Sequence, residues 1–258
     1  MSKKNKKLKN DKIQNSQENP TDKTPVIFQR NKLKSALNIF KRSDLTPRQK
    51  EFLELVANKE VKMIFVSGPS GSAKTFLSIM AALQLLSDKK VSDIIYARSI
   101  VECSDKSLGA LPGTIDDKVH VYLQPLIDKM EELLPRHEIE MLNKDKRITG
   151  MPISYLRGLN FNAKAIIGDE FQNCTYKEIL TFITRTGEFS KVLVLGDIGQ
   201  SDINGKSGFE KMMNLFDGEN HRKNGIYVFK FTIEDCVRSG LVKHILKTIE
   251  EDKLKNPK

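Results

Sequence analysis

The chain has 258 residues, 39% hydrophobic and 29% charged, a balance that excludes a disordered or membrane-embedded protein and has room for one ample domain or two small ones. The formal net charge is +10, yet residues 1–50 hold 14 Lys+Arg against 4 Asp+Glu, leaving 29 of each in the remainder. A basic arm on a neutral body excludes a uniformly cationic coat or histone-like particle, and confines non-specific attraction to phosphate to the N-terminal segment.

Residues 1–24 are rich in Lys, Asn, Gln and Ser, with Leu8 and Ile13 their only large apolar side chains besides Met1. Such a stretch cannot offset its ordering entropy and is expected to be a disordered basic tail. Its positive start lacks the apolar segment of a secretory signal, and no apolar run approaches the roughly 18 residues of a membrane span. A cytoplasmic protein is expected, in a bacterial cell or phage-infected host given the heavy Lys, Asn and Ile usage. Cys103, Cys174 and Cys236 are too scattered for a disulfide framework or a zinc site. Residues 25–44 read as a linker or docking segment, 45–250 as the folded body and 251–258 as a C-terminal tail.

Within the body, Thr46-Pro47 reads as an N-cap with proline at the first helical position, opening an amphipathic helix through Ala57. Met63–Ser67 is a short apolar strand, ended at once by Gly68, after which a helix carries Leu77, Ile79, Leu83 and Leu86. Four more strands are predicted at 94–97, 165–168, 192–195 and 226–231, with helices at 119–134 and 177–184 between them. A final amphipathic helix carries Val237, Leu241, Ile245 and Ile249. Most strand candidates are continuous apolar runs, as expected of strands covered on both faces, so the fold class is α/β: three layers around a mainly parallel central sheet.

The stretch Gly68-Pro69-Ser70-Gly71-Ser72-Ala73-Lys74-Thr75 matches the phosphate-binding pattern G-x-x-x-x-G-K-[ST], except that Ala73 replaces the second glycine. Backbone N–H groups of such a loop curl around phosphate oxygens, Lys74 supplies an ammonium for the β and γ oxygens, and Thr75 a hydroxyl for Mg²⁺. Ala73 is expected to be tolerated in the first helical turn at ordinary negative φ. The partner element is an apolar strand ending in carboxylates, Ala165–Glu170: Asp169 for the magnesium shell and Glu170 to orient and polarise water. A third strand end, Val192–Gln200, brings Gln200 to the same rim, where its amide can sense a γ-phosphate.

These motifs run in order with others: Arg98-Ser99-Ile100-Val101, Leu108–Gly113 with Lys118, Tyr155–Gly158, Asp169-Glu170-Phe171-Gln172-Asn173, Thr184-Arg185-Thr186-Gly187, Ser207-Gly208-Phe209, and Asp235 with Arg238. Together, over about Leu45 to Glu250, they resemble the PhoH-like family of P-loop ATPases, relatives of the first RecA-like domain of superfamily 1 helicases. Ala73, Ser99 and Phe171 depart from the family pattern. The resemblance implies ATP and Mg²⁺ as cofactors, Lys74 and Thr75 on phosphate and metal, Asp169 on metal, Glu170 as catalytic carboxylate and Gln200 as sensor. It also implies Gln49 as an adenine contact, against a plain surface glutamine, and Arg238 as an arginine finger, against a surface ion pair with Asp235.

One RecA-like domain must borrow its partner, and the resemblance points to a homo-oligomer, a hexameric ring. Single-stranded nucleic acid, RNA foremost, is the expected macromolecular partner, with Arg98, Arg157 and Arg185 as strand contacts or as structural salt bridges. A clustered-Asp nuclease domain, and with it RNA cleavage, is not expected. The leading reading is an ATPase that couples hydrolysis to binding or remodelling a strand. The alternatives are an ATP-dependent oligomeric switch with slow turnover and a small-molecule kinase.

Overall fold

The apolar runs become strands because their alternate side chains have two separate cores to enter. The computed structural model describes residues 33, 35–99, 115–201, 203, 205–237 and 240–255. Its strands are β1 (Met63–Ser67), β2 (Asp93–Arg98), β3 (Ile148–Pro152), β4 (Lys164–Asp169), β5 (Lys191–Gly196) and β6 (Ile226–Lys230). They lie in the order β3-β2-β4-β5-β1-β6, and every pairing is parallel. Ile64, Val66, Tyr96 and Ile167 enter the core on one face, and Phe65, Ile95, Ile166 and Val194 enter that on the other. This period of two on a doubly covered sheet gives the expected three layers.

The helices are α1 (Pro47–Ala57), α2 (Lys74–Ser87), α3 (Ile115–Glu131), α4 (Arg136–Lys144), α5 (Tyr176–Ile183), α6 (Phe209–Phe216), α7 (Glu219–Lys223) and α8 (Gly240–Lys255). As the sequence indicates, α1 starts at Thr46: the Thr46 hydroxyl accepts from Gln49 N at 3.2 Å, and Gln49 Oε1 accepts from Thr46 N at 3.0 Å. The docking segment is neither strand nor helix where it is described. Leu33 and Leu37 are buried in the core while the backbone stays irregular, pinned by Leu37 N donating to Ser87 Oγ and Phe40 N to the Leu133 carbonyl. The tail of residues 1–24 lies outside the described residues.

Four elements escaped the sequence reading: β3, α4, α6 and α7. Gly150 and Pro152 interrupt β3, which leaves no continuous apolar run to mark it in the sequence. At a sheet edge proline withholds no ladder donor that matters, and a Cβ at Gly150 would stand 2.3 Å from Leu123 on α3, so the glycine admits the helix. The last helix begins at Gly240, so Val237 precedes it instead of belonging to it.

Lys191 opens β5 with its side chain buried, its ammonium donating to the carbonyls of Asn58 (2.7 Å) and Val61. Burial, with Lys90 nearby, pulls its pKa down to about 8 from the ordinary 10.5. The unfolded chain therefore binds more protons than the native state between those values, and stability rises with pH across that window. Because the two carbonyls favour the charged form, about 1 kcal/mol is expected, below what the full shift implies. Denaturant titrations from pH 7.5 to 10.5 should show this rise in the wild type and lose it in Lys191→Met.

Candidate functional site

The phosphate loop leaves β1 where the sheet's carboxyl edge opens, the usual ligand edge of a parallel sheet. Gly68 passes so close to Phe231 that a Cβ would lie 2.7 Å from that side chain, and Gly71 adopts φ 85°. Ser72 Oγ donates to the Pro69 carbonyl at 2.8 Å, and Val237 N to the Gly71 carbonyl at 3.1 Å, fixing the loop from inside and outside.

Ala73 corrects an expectation: it is the N-cap residue of α2 in the left-handed region, φ 63° and ψ 20°, not a residue of the first helical turn. The loop must reverse here to aim its N–H groups inward, and the methyl makes that reversal strained. Ala73→Gly is expected to stabilise the fold by about 0.5–1 kcal/mol, the left-handed penalty less the extra freedom of an unfolded glycine. Urea unfolding would measure it, and a loss of stability would contradict the strain.

Lys74 Nζ donates to the carbonyls of Gly68 (2.6 Å) and Pro69 (3.0 Å). Burial lowers its pKa, opposed by the charges of Asp197, Asp169 and Glu170. Next to it, Thr75 Oγ1 donates to Asp169 Oδ1 at 2.9 Å, and the fully buried Tyr96 donates its hydroxyl to Asp169 Oδ2 at 2.6 Å. Burial pushes the Asp169 carboxyl up and the Tyr96 phenol up with it, while the two donated hydrogen bonds hold the carboxylate form. A threonine hydroxyl and a carboxylate oxygen converging at 2.9 Å are the hard oxygen donors that suit Mg²⁺ with phosphate oxygens and water completing its shell. Among the described residues there is no cluster of three or more His, Cys, Asp or Glu that could hold a metal by itself.

Glu170 sits at φ 58°, a strained backbone of the kind found where a side chain must be aimed. Its Oε2 accepts from Gln172 Nε2 at 2.6 Å, and Gln172 Oε1 accepts from Asp197 N at 3.0 Å. Gln172 thus joins the ends of β4 and β5. Gln200 ends a short 3₁₀ turn, Ile198–Gln200, capped by Asp197 Oδ1 accepting from Gly199 N.

One cavity of about 330 Å³ collects most of the sequence-derived candidates: Ser70, Gly71, Ala73, Lys74, Thr75, Asp169, Glu170, Gln200 and Gln49 all line it. Gly68, Pro69 and Ser72 supply the loop behind them. Gln49 is not a surface residue. It is buried, and besides capping α1 its Nε2 donates to the Asp235 carbonyl at 3.3 Å, so contact with a base would require it to exchange those partners. Asp235 is likewise buried, accepting from Thr232 N and Oγ1. Arg238 lies outside the described residues, as do Ile100, Val101 and Leu108–Gly113.

The three candidate strand arginines separate. Arg98 stands beside Glu170, Nη2 to Oε1 3.7 Å. Arg185 is tied to its own helix end, Nε donating to the Thr181 carbonyl at 3.2 Å. Arg157 is exposed just after the 3₁₀ turn Ile153–Leu156. Tyr96, Gln172 and Asp197 were missed as site residues. A tyrosine inside an otherwise apolar strand, and a glutamine directly after Asp-Glu-Phe, were the available signals.

A parallel sheet that gathers a glycine-bearing loop, its lysine and threonine, and a strand-end carboxylate pair at one mouth is that of an α/β, RecA-like P-loop protein. Comparison with known sequences narrows the class. Residues 43–250 match the family described as PhoH-like protein, and the chain belongs to that family of P-loop ATPases. It is similar to a PhoH-like protein of Mycobacterium tuberculosis H37Rv, 34% identical over 203 residues, which are 78% of this chain and 56% of the relative. With a PhoH-like protein of Bacillus subtilis 168 it shares 33% over 208 residues, 80% of this chain and 63% of the other. With Protein PhoH of Escherichia coli K12 it shares 32% over 202 residues, 77% and 55% of the two. The chain thus spans less than two thirds of these relatives' length. No described helix is long and apolar enough to cross a membrane.

Proposed function

We propose that this chain is a Mg²⁺-dependent ATPase that binds single-stranded nucleic acid, RNA foremost, and couples hydrolysis to remodelling it. The observation that carries the catalytic half is the meeting of Lys74, the Thr75–Asp169 oxygen pair and Glu170 in one cavity. Lys74 draws charge from the β and γ oxygens, and the loop N–H groups hold them. Thr75 and Asp169 would hold Mg²⁺, which when bound would neutralise developing phosphate charge. Glu170 orients and polarises the attacking water from a carboxylate fixed by Gln172. Gln200, which lines the same cavity, is the candidate γ-phosphate sensor, and Gln49 is left as a candidate adenine contact on condition that it releases Asp235.

Self-association is part of the proposal. Leu241, Ile245 and Ile249 lie four apart on α8 and are 70%, 46% and 48% exposed, an apolar stripe that a second copy of the chain would cover. Arg238 is proposed as the finger that the assembled ring brings to a nucleotide. The switch reading retains one supporting observation: both Glu170 oxygens already have partners, which suits slow basal turnover.

Steady-state phosphate release with and without single-stranded RNA tests the proposal. Hydrolysis that RNA stimulates supports coupling; slow, unstimulated hydrolysis supports the switch; no hydrolysis sinks both enzymatic readings. Sizing in ATP and in ADP tests the ring. Deleting residues 2–24, which hold seven Lys against three Asp+Glu, is expected to weaken RNA binding and flatten its salt dependence while basal hydrolysis stays. Loss of basal hydrolysis would make the arm part of the catalytic machinery.

A further inference from the structure

Arg98 ends β2 at the register position opposite Asp169, and Ser99 N donates to the Asp169 carbonyl at 3.1 Å, so β2 and the carboxylate turn are welded together. Arg98 is not among the residues lining the cavity. It reaches Glu170 from outside, Nη2 lying 3.7 Å from Oε1. Glu170 is therefore held by two partners of unequal kind. Gln172, buried at 3% exposure, holds Oε2 at 2.6 Å through a short bond that no solvent anion can reach. Arg98 holds Oε1 loosely, with both side chains a third or more exposed (33% and 41%). An exposed pair at that separation is weak and screened by salt.

We infer that Arg98 is a positioning residue whose hold on Glu170 is released by the phosphate backbone of a single strand. The inference rests on the ATPase reading above and names the regulation of that site. While the guanidinium stands at 3.7 Å, it takes up the side of Oε1 from which a water would otherwise be held. A phosphodiester offers the same guanidinium closer, bidentate, charge-assisted hydrogen bonds. Once Arg98 turns to the strand, Oε1 is free to accept from water while Gln172 keeps the carboxylate aimed. In the step thus favoured, the water oxygen bonds the γ-phosphorus as the bond to the ADP oxygen breaks, and the water's proton passes to Glu170 and on to solvent. Only the Arg98 rotamer has to change, so a strand bound outside the cavity raises turnover without altering the contacts to ATP. A polyanion is favoured over a lone phosphate because the whole net charge of +10 sits in the first fifty residues, which concentrate a strand on this chain.

The test uses the full chain, with poly(U) as the strand. Basal and poly(U)-stimulated kcat and KM for ATP are measured in the wild type, Arg98→Gln and Arg98→Lys, together with poly(U) affinity by anisotropy. The wild type is expected to be stimulated. Arg98→Gln should raise basal kcat roughly two- to fivefold, the range open to a weak exposed pair, with KM little changed and the stimulation ratio falling toward one even at saturating poly(U). Arg98→Lys should restore part of the ratio. A lowered basal kcat with an unchanged ratio in Arg98→Gln, or a wild type indifferent to saturating poly(U), would overturn the latch while leaving an ATPase. A wild type that hydrolyses no ATP under any condition overturns the ATPase reading, and the latch with it.

Discussion

Glu170→Gln is expected to lower ATP turnover by about 10²- to 10⁴-fold, the span that general-base catalysis contributes, with nucleotide affinity near that of the wild type. The amide has the shape of the carboxylate, and its oxygen can still accept from Gln172, so the left-handed turn and the bridge to Asp197 persist. The lost property is basicity. The exposed pair with Arg98 disappears as well, at a stability cost of about 1 kcal/mol or less. Single-turnover phosphate release, read beside equilibrium binding of a fluorescent ATP analogue, separates the chemical step from binding. A decrease of less than about threefold would mean that the water is activated by another group, and the assignment of Glu170 would be lost.

Asp169→Asn is expected to move stability and function in opposite directions. The Asp169 carboxylate is buried, accepting from two hydroxyls and from Glu170 N, and among the described residues no cation touches it directly. Burial disfavours its charge, which is why its pKa is pushed up. An amide of the same shape keeps its oxygen at the Oδ1 position for Thr75 Oγ1 and Glu170 N, and its NH2 at the Oδ2 position donates to Tyr96, whose hydroxyl oxygen can turn to accept. In metal-free, nucleotide-free buffer the variant should equal or exceed the wild type, by up to about 1 kcal/mol. Hydrolysis at saturating Mg²⁺ and ATP should nevertheless fall by at least about 10²-fold, the scale of losing one fixed electrostatic contact to the reacting phosphate. Thermal melts with EDTA and hydrolysis assays on the same preparation check both. A variant that is less stable yet hydrolyses normally would show that Asp169 is a structural anchor for Tyr96 and not a metal ligand. Such a trade is common at sites where a charge is kept for work and not for folding.

Much of the site was readable because phosphate chemistry demands particular residues at particular spacings. Gly68 to Thr75 is such a case: one contiguous run contains the turn, the cation and the hydroxyl. The strand ending in Asp169-Glu170 was readable for the same reason, since a continuous apolar run that stops on two carboxylates has few other uses. Gln172 and Tyr96 were not readable as site residues. Their roles depend on which strand ends are neighbours, and β4 touches β2 on one side and β5 on the other only after the chain has crossed over. Ala73 failed in the opposite sense, because a left-handed φ is imposed by the closure of the loop and leaves no trace in an alanine.

The basic arm and neutral body, the α/β class, the phosphate loop and its carboxylate partners were determined by the sequence alone, because each is a local property of composition, periodicity or spacing. The edge strand through Gly150 and Pro152, the burial of Gln49 and Asp235, and the meeting of Arg98 with Glu170 were decided only by the tertiary structure. Each of those depends on contacts between segments far apart in the chain, where packing, and not the nearest residues, determines which partner a polar side chain finds.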